Sequence, residues 1–169
     1  MPEPTAADWI EFLKLTPHPE GGHFSENYRS SPPIAGEKFP QKFAHPHSIA
    51  TSIYFLLQSG EVSQLHRLKS DELWCLLAGG PLTLHCLRPD VGYRPLVLGS
   101  NPEGGLRLHA VIQKGVWFGA TVEEEEPFAL AGCTVVPGFE FRDFEIGNRD
   151  QLLAAFPAQR TIIERLTKV

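Results

Sequence analysis

The sequence predicts an all-β fold with short helices at both ends, and two observations lead to it. First, 15 glycines and 15 prolines occur among 169 residues, about 18% against about 12% in average proteins, which argues against a helical bundle. Second, short apolar runs recur at intervals near ten residues, separated by Gly, Pro and Asp. Regular short strands of this kind are typical of an antiparallel sandwich or barrel.

Each apolar run is too short for an ordinary helix and is rich in Val, Ile, Phe, Leu and Thr, so each is assigned as a strand. The predicted strands are 51–57, 62–68, 72–78, 82–88, 93–98, 108–113, 116–121 and 128–136. Residues 30–48 contain four prolines and have no strand or helix pattern. Because long loops in compact domains usually carry function, we expect this one to cover the mouth of the barrel.

Helix signals are confined to the two ends of the chain. Thr5 is a candidate N-cap because Asp8 follows three residues later, which is the spacing of a capping box. Asn148 is a second candidate cap, and Pro157 interrupts the helical pattern that follows it. The predicted organisation is one domain over 1–169, with a helix at 5–15, a barrel at about 20–146 and C-terminal helices at 148–168.

Composition excludes several classes of partner. The formal net charge is −5, so the basic surface that a nucleic acid polymer requires is missing. Cys75, Cys86 and Cys133 are odd in number and lie in apolar runs, as expected for reduced core thiols in a reducing compartment. The N-terminus lacks the pattern of a targeting peptide, and no apolar stretch approaches 18 residues. We therefore expect a cytoplasmic protein with no membrane partner.

The most informative stretch is 60–79. It resembles the first cupin motif, in which Gly, five residues, His-x-His, three or four residues, Glu, six residues and Gly follow in order. His66 and Glu72 occupy two of the positions that ligate a metal in cupins, but Leu68 replaces the second His. The second cupin motif resembles 113–118, where Phe118 stands in place of the third His.

The cupin resemblance implies a metal held by three His and one Glu, and this sequence keeps two of those four donors. A catalytic metal site normally has three protein ligands, which disfavours a conventional metal-dependent dioxygenase. The sequence therefore predicts neither a metal nor another cofactor.

Further segments resemble an uncharacterised cupin family found in bacteria, yeast and some animals, over roughly residues 9–157. These segments are 17–30, 51–57, 66–74, 117–120, 132–139 and 143–145. The resemblance implies a double-stranded β-helix, or jelly-roll barrel, similar to that of the nucleotide-sugar 3,5-epimerases and usually dimeric. It implies no particular substrate, because a fold does not define a reaction.

Strand geometry predicts which residues face the barrel interior. If 51–58 and 62–68 form a hairpin, Phe55 pairs with His66, and Gln64 shares their face. The inward His of the cupin motif agrees with this orientation. The opposite face carries Tyr54, Leu65 and Arg67, a candidate homodimer interface.

Alternation along the following strands places Glu72, Trp74 and Phe118 inside as well. Aromatic walls combined with a few polar groups are typical of a small-molecule pocket. The alternative is a closed core in which Gln64, His66 and Glu72 satisfy one another's hydrogen bonds.

Two further segments supply polar candidates. In strand 23–29, either Glu26 and Tyr28 face inward together with Phe24, or the alternate residues do, and we favour the first arrangement because Phe24 is the natural core residue. Asp143, flanked by aromatic residues, is either a pocket carboxylate or the partner of Arg142 or Arg149. The predicted ligand contacts are Glu26, Gln64, Glu72, Trp74, Phe118 and Asp143.

Three functions fit these residues. The first is a metal-independent isomerase or epimerase acting on a sugar or nucleotide-sugar, with His66 as base, Tyr28 as acid, and Glu26 or Glu72 orienting the imidazole. The second is a non-catalytic module that binds a small polar ligand. The third is an oxygenase or lyase with a weakly bound metal on His66, Glu72 and a recruited residue such as Gln64.

Overall fold

The computed structural model describes residues 3–101, 104–123 and 125–168, and its two facing β-sheets confirm the predicted all-β class. The first sheet has the order β1-β2-β3-β10-β5-β8 and the second β11-β4-β9-β6-β7, with antiparallel pairing between neighbouring strands. The strands are β1 (Thr16–Pro17), β2 (His23–Arg29), β3 (Thr51–Gln58), β4 (Val62–Leu68), β5 (Asp71–Gly79), β6 (Leu82–Arg88), β7 (Gly92–Leu98), β8 (His109–Ile112), β9 (Trp117–Val122), β10 (Phe128–Val136) and β11 (Phe144–Ile146).

The eight predicted strands correspond to β3 through β10, and each observed boundary lies within one residue of the prediction. The predicted hairpin between β3 and β4 is wrong. β3 pairs with β2 and β10 in the first sheet, whereas β4 pairs with β9 and β11 in the second. The chain thus crosses between sheets, and Phe55 and His66 reach the interior from opposite walls.

The interior between the sheets is filled by apolar side chains from both walls. Its fully buried members include Phe55, Leu57, Trp74, Leu84, Phe118 and Ala120. This packing leaves the polar interior groups at one end of the barrel, where β2, β4 and β5 supply them.

Three helices cover the outer faces: α1 (Ala6–Leu13), α2 (Arg149–Ala155) and α3 (Arg160–Arg165). The predicted capping box is present, because Thr5 N–H donates to Asp8 at 2.8 Å and Asp8 N–H donates to Thr5 at 3.3 Å. The Asn148 cap is present too, accepting from the N–H of Gln151 at 3.1 Å. None of the described helices is long and apolar enough to cross a bilayer.

The outward faces predicted to form a dimer interface are separated in the structure. Tyr54 lies on the first sheet and packs beneath α1. Arg67 lies on the second sheet, 4.4 Å above the ring of Trp117 and 2.7 Å from Glu145. Since β3 and β4 are not paired, Tyr54 and Arg67 do not share one surface.

The long loop at 30–48 is held by its own hydrogen bonds. Ile34 and His47 form an isolated antiparallel bridge, with N···O distances of 2.7 and 2.9 Å. Phe43 is buried, and its ring lies 3.8 Å from that of His47. These contacts bring the two histidines of the loop, His45 and His47, to the end of the barrel.

Candidate functional site

The barrel encloses a cavity of about 100 Å³. Its apolar walls are Phe24, Ile53, Phe55, Leu68, Trp74, Cys133, Val135, Phe139, Phe141 and Phe144. Its polar lining is His18, Glu20, Glu26, Arg29, Thr51, His66, Glu72 and Glu140. Glu20, His66 and Glu72 are buried, whereas Glu26 and Arg29 are exposed at the rim. The polar groups at the floor of the cavity are therefore shielded from solvent, whereas the charged groups at its mouth are exposed to it.

Glu20 lies at the floor of this cavity. Its carboxylate accepts a 2.8 Å hydrogen bond from the hydroxyl of Ser63, and its other oxygen lies 3.3 Å from Nδ1 of His66 and 3.5 Å from Nδ1 of His18. Burial and the neighbouring charge of Glu72 raise the pKa of Glu20 well above its usual value, against the opposing effect of Ser63. Glu20 therefore holds its proton more tightly than an exposed glutamate does.

His66 lies beside it as a neutral imidazole. Burial is the main cause that lowers the pKa of His66, to about 4. Nδ1 lies 2.8 Å from the carbonyl oxygen of Gln64, which accepts its proton. Phe118 and Phe144 pack against the ring at centroid distances of 4.2 and 5.3 Å. The unprotonated Nε2 has no hydrogen-bond partner in the described part of the chain and is free to accept one from a ligand.

Glu72 and Trp74 bring two unpartnered polar atoms to the same cavity. Oε2 of Glu72 and Nε1 of Trp74 are buried, and neither has a hydrogen-bond partner within the described ranges. Burial raises the pKa of Glu72 to about 7, and the indole of Trp74 offsets only part of that rise. Buried polar atoms are nearly always paired in folded proteins, and the nearby indole N–H of Trp74 acts on Glu72 as a hydrogen-bond donor that lowers its pKa.

Tyr28 does not reach the cavity, contrary to the sequence prediction. Its side chain is 56% exposed. The pairing of β2 with β3 shifts register between Glu26 and Tyr28, and this bulge breaks the alternation of inward and outward residues. Glu26 lines the cavity as expected, but Arg29 takes the inward place predicted for Tyr28.

Gln64 and Phe118 are both buried, but neither lines the cavity. The side-chain amide of Gln64 donates to the carbonyl of Glu20 at 3.1 Å, so it holds the backbone and does not point at a ligand. Phe118 supports the ring of His66 from behind. Glu72 and Trp74 line the cavity as predicted.

Sequence reasoning missed His18 and Glu20, which reach the interior on a tight turn before β2. Gly21 N–H donates to the carbonyl of His18 at 3.0 Å, and the φ of Gly21 is +113°. A Cβ on Gly21 would lie 2.1 Å from the carbonyl oxygen of Val62, so only glycine lets this turn press against β4. The two consecutive glycines, Gly21 and Gly22, are the sequence feature that could have predicted this turn.

Asp143 lies outside the cavity, in a second polar cluster. It belongs to a short 3₁₀ helix (Phe141–Asp143), and its Oδ2 lies 2.7 Å from Nε2 of His47 and 2.9 Å from Nε2 of His45. Its Oδ1 lies 2.9 Å from Nζ of Lys69. Asp143 is therefore not a carboxylate of the barrel cavity.

The predicted ion pair of Asp143 with Arg142 or Arg149 is also absent. The guanidinium of Arg142 faces Glu140 at 3.6 Å, and that of Arg149 bonds Thr167. Burial raises the pKa of Asp143, but hydrogen bonds from Lys69, His45 and His47 outweigh that effect and hold it below the usual value.

Two facing antiparallel sheets around a cavity form a jelly-roll barrel, the fold that cupins share. The chain belongs to the cupin superfamily, in the family described as DUF985, whose sequence profile matches residues 7–147.

Solved structures agree with this assignment. A hypothetical protein from Leishmania major is 34% identical with a TM-score of 0.90, covering 98% of this chain and 100% of that one. A protein from Shewanella oneidensis, known from an X-ray structure, is 37% identical with a TM-score of 0.86, covering 98% and 99%. Oxalate decarboxylase from Bacillus subtilis, at 14% identity and a TM-score of 0.54, covers 89% and 37% and shares only the fold. None of the curated proteins matches the chain significantly.

The donors in this barrel do not fit the metal that the cupin fold implies. Leu68 and Phe118 fill two of the four ligand positions with buried apolar side chains. Gln64, the candidate recruited ligand, is bonded to the backbone. Among the described residues, the three side chains that come close enough together to hold a metal ion lie outside the barrel cavity. They are His45, His47 and Asp143. We therefore derive no chemistry from a metal inside the barrel.

Proposed function

We propose that this cupin is a metal-independent isomerase or epimerase that moves a proton next to the carbonyl group of a small sugar or of the sugar portion of a nucleotide-sugar. One observation carries the proposal: Glu20 and Glu72 are two buried carboxyls in one cavity, and burial raises the pKa of both. Titratable groups whose pKa values are perturbed by burial in a shared cavity are typical of acid–base sites.

The pKa values favour Glu72 as the base and Glu20 as the acid. A general base works best with a pKa near the operating pH, and the pKa of Glu72 is about 7. His66, with a pKa of about 4, is a weaker base than Glu72. This assignment replaces the sequence hypothesis of His66 as base and Tyr28 as acid.

In the proposed reaction, the Glu72 carboxylate takes the proton from the carbon beside the carbonyl. The electron pair of that C–H bond forms a carbon–carbon double bond, and the π pair of the carbonyl moves to its oxygen. The N–H of Trp74 donates to the resulting enolate oxygen. The Glu20 carboxyl then returns a proton to the carbon, and the double bond collapses back to a carbonyl. His66 Nε2 accepts a hydrogen bond from a substrate hydroxyl and orients it. Exchange with solvent resets the two carboxyls.

The cavity dimensions favour a compact substrate. About 100 Å³ accommodates the reacting part of a sugar, while any nucleotide would extend through the mouth. Arg29 is the cation at that mouth, but Glu26 and Glu140 already engage it at 2.8 and 3.0 Å. A phosphate would have to displace these carboxylates, so free sugars and sugar acids belong in the test panel beside nucleotide-sugars.

The test is deuterium incorporation from heavy water into a panel of such compounds, followed by NMR. The proposal expects exchange at a carbon beside a carbonyl in the wild type, loss of exchange in Glu72→Gln, and no change in Glu164→Gln on the surface of α3. Binding without exchange would reject the isomerase and leave the second function, a non-catalytic binding module.

We also propose a homodimer, with a different interface from the one predicted. Exposed apolar side chains occur on β5, on β8 and just before it: Leu77, Val111 and Leu108. β8 is an edge strand of the first sheet, so a second copy would cover both the edge and these side chains. Light scattering after size-exclusion chromatography tests this, and a mass of 18.8 kDa would reject the dimer.

A further inference from the structure

We propose that His45, His47 and Asp143 bind a divalent transition-metal cation of the zinc class, at a site outside the barrel cavity. One potential ligand atom from each residue lies within 4.8 Å of the others. His47 and Asp143 are buried and His45 is half-buried, so the fold holds the ligands in place. The site is independent of the proposed reaction, which uses none of these residues.

The donor set suits this class of cation. Imidazole nitrogen combined with one carboxylate oxygen is a ligand set for zinc, cobalt and nickel, and three protein ligands leave a position for water. Zinc binds both donor types at about 2.0–2.2 Å, so tetrahedral ligands stand about 3.3 Å apart. The present Nε2···Oδ2 separations of 2.7 and 2.9 Å need to widen by only a few tenths of an ångström.

The outer contacts of the cluster are those that orient metal ligands. Ligating histidines usually donate the other ring N–H to a backbone carbonyl or a carboxylate. Nδ1 of His47 lies 3.0 Å from the carbonyl oxygen of His45, which leaves Nε2 for a cation. Ligating carboxylates are hydrogen-bonded in turn, and Lys69 holds Oδ1 of Asp143, which leaves Oδ2.

A neutral His47 cannot complete its hydrogen bonding without a cation. Both of its ring nitrogens face oxygen atoms that accept, namely the His45 carbonyl and the Asp143 carboxylate. A neutral imidazole has only one N–H, so it serves only one of these acceptors. A metal between Nε2 and Oδ2 resolves the conflict, because the metal takes the lone pairs of both atoms while Nδ1–H stays on the carbonyl.

The metal would join two segments far apart in sequence. His45 and His47 belong to the loop at 30–48, and Asp143 ends the 3₁₀ helix Phe141–Asp143. Phe141 and Phe144 line the barrel cavity, so a cation here would fix part of the cavity wall from outside.

The experiment uses the full chain, stripped of metal with a chelator and titrated with Zn²⁺ or Co²⁺ alone by calorimetry. We expect one cation per chain and a Co²⁺ visible spectrum with nitrogen and oxygen ligands. His45→Ala and Asp143→Asn should each weaken binding by about 100-fold, since even outer contacts contribute 10- to 100-fold. His109→Ala, an exposed histidine outside the cluster, should bind as the wild type does.

Circular dichroism of each metal-free variant shows whether it is folded, and His45→Ala is the safer variant because His45 is only half-buried. Absence of binding to the folded wild type would overturn the proposal, and so would equal binding by folded His45→Ala. The cluster would then be a hydrogen-bonded tether only.

Discussion

The barrel cavity and the cluster at Asp143 combine the same residue types, yet they treat charge in opposite ways. In the cavity, burial is the largest cause that raises the pKa of Glu20 and of Glu72. At the cluster, Lys69, His45 and His47 hold the pKa of Asp143 down. The two cavity carboxyls therefore hold their protons more tightly than exposed glutamates do, while Asp143 loses its proton more readily than an exposed aspartate and can hold a cation.

The largest expected effect is on the rate of the proposed reaction, which should depend on the cavity and not on the cluster. Glu72→Gln keeps the shape of the side chain but removes the base, so the exchange rate should fall by about 10²- to 10⁴-fold. Asp143→Asn, the corresponding change in the cluster, should leave the rate of a folded protein within about two-fold. Rates are compared by NMR exchange at saturating substrate, and equal losses in the two variants would show that the regions do not have separate roles.

The second effect is on stability as a function of pH. Burial raises the pKa of Glu72 to about 7, so between its ordinary value and 7 the folded state binds more protons than the unfolded state. The contribution of Glu72 to stability therefore declines as pH rises from about 4.5 to about 7, by about 3 kcal/mol in total. Glu72→Gln removes this decline, and denaturant titrations of both proteins across the window measure it.

The histidines of the wild type oppose that trend. Burial lowers the pKa of His18, His66 and His85 to about 4, so their contribution rises with pH between about 4 and 6.5. The difference between wild type and Glu72→Gln isolates the carboxyl, because the histidines are common to both. A difference that does not change with pH would contradict the raised pKa of Glu72.

The contribution of Asp143 to stability should change with pH in the opposite direction to that of Glu72. Its lowered pKa stabilises the fold above the ordinary range of an aspartate and loses that stabilisation as pH falls through the folded value. Asp143→Asn should therefore flatten the acid side of the stability curve, below about pH 4, and leave the window of Glu72 unchanged.

A smaller effect is expected from the ion pair between Lys69 and Asp143. Lys69 is exposed although its partner Asp143 is shielded, and solvent screens such pairs. Lys69→Met should cost about 1 kcal/mol or less in the free energy of unfolding. Urea denaturation at low and high salt measures it, and a loss that is insensitive to salt would show that Lys69 contributes by packing and not by charge.

The strands could be predicted from sequence because each one is a local pattern, whereas their pairing could not. The short turn after Gln58 suggests a hairpin, but β3 pairs instead with β10, whose residues lie far along the chain. The cluster at Asp143 could not be predicted for the same reason, since His47 and Asp143 are 96 positions apart in the sequence. His66, Glu72 and Trp74 were found because a contiguous motif contains all three.

The smallest predicted effect tests a local irregularity that alternation cannot reveal. The bulge between Glu26 and Tyr28 turns Tyr28 outward and Arg29 inward. Tyr28→Phe should therefore leave both the exchange rate and the ligand affinity within about two-fold, because the hydroxyl touches no cavity group and surface changes have small effects. Arg29→Met is the matched variant on the same strand, and it should weaken binding of any anionic ligand. A large loss in Tyr28→Phe would restore the sequence assignment of Tyr28 as acid and would require the strand to shift register when substrate binds.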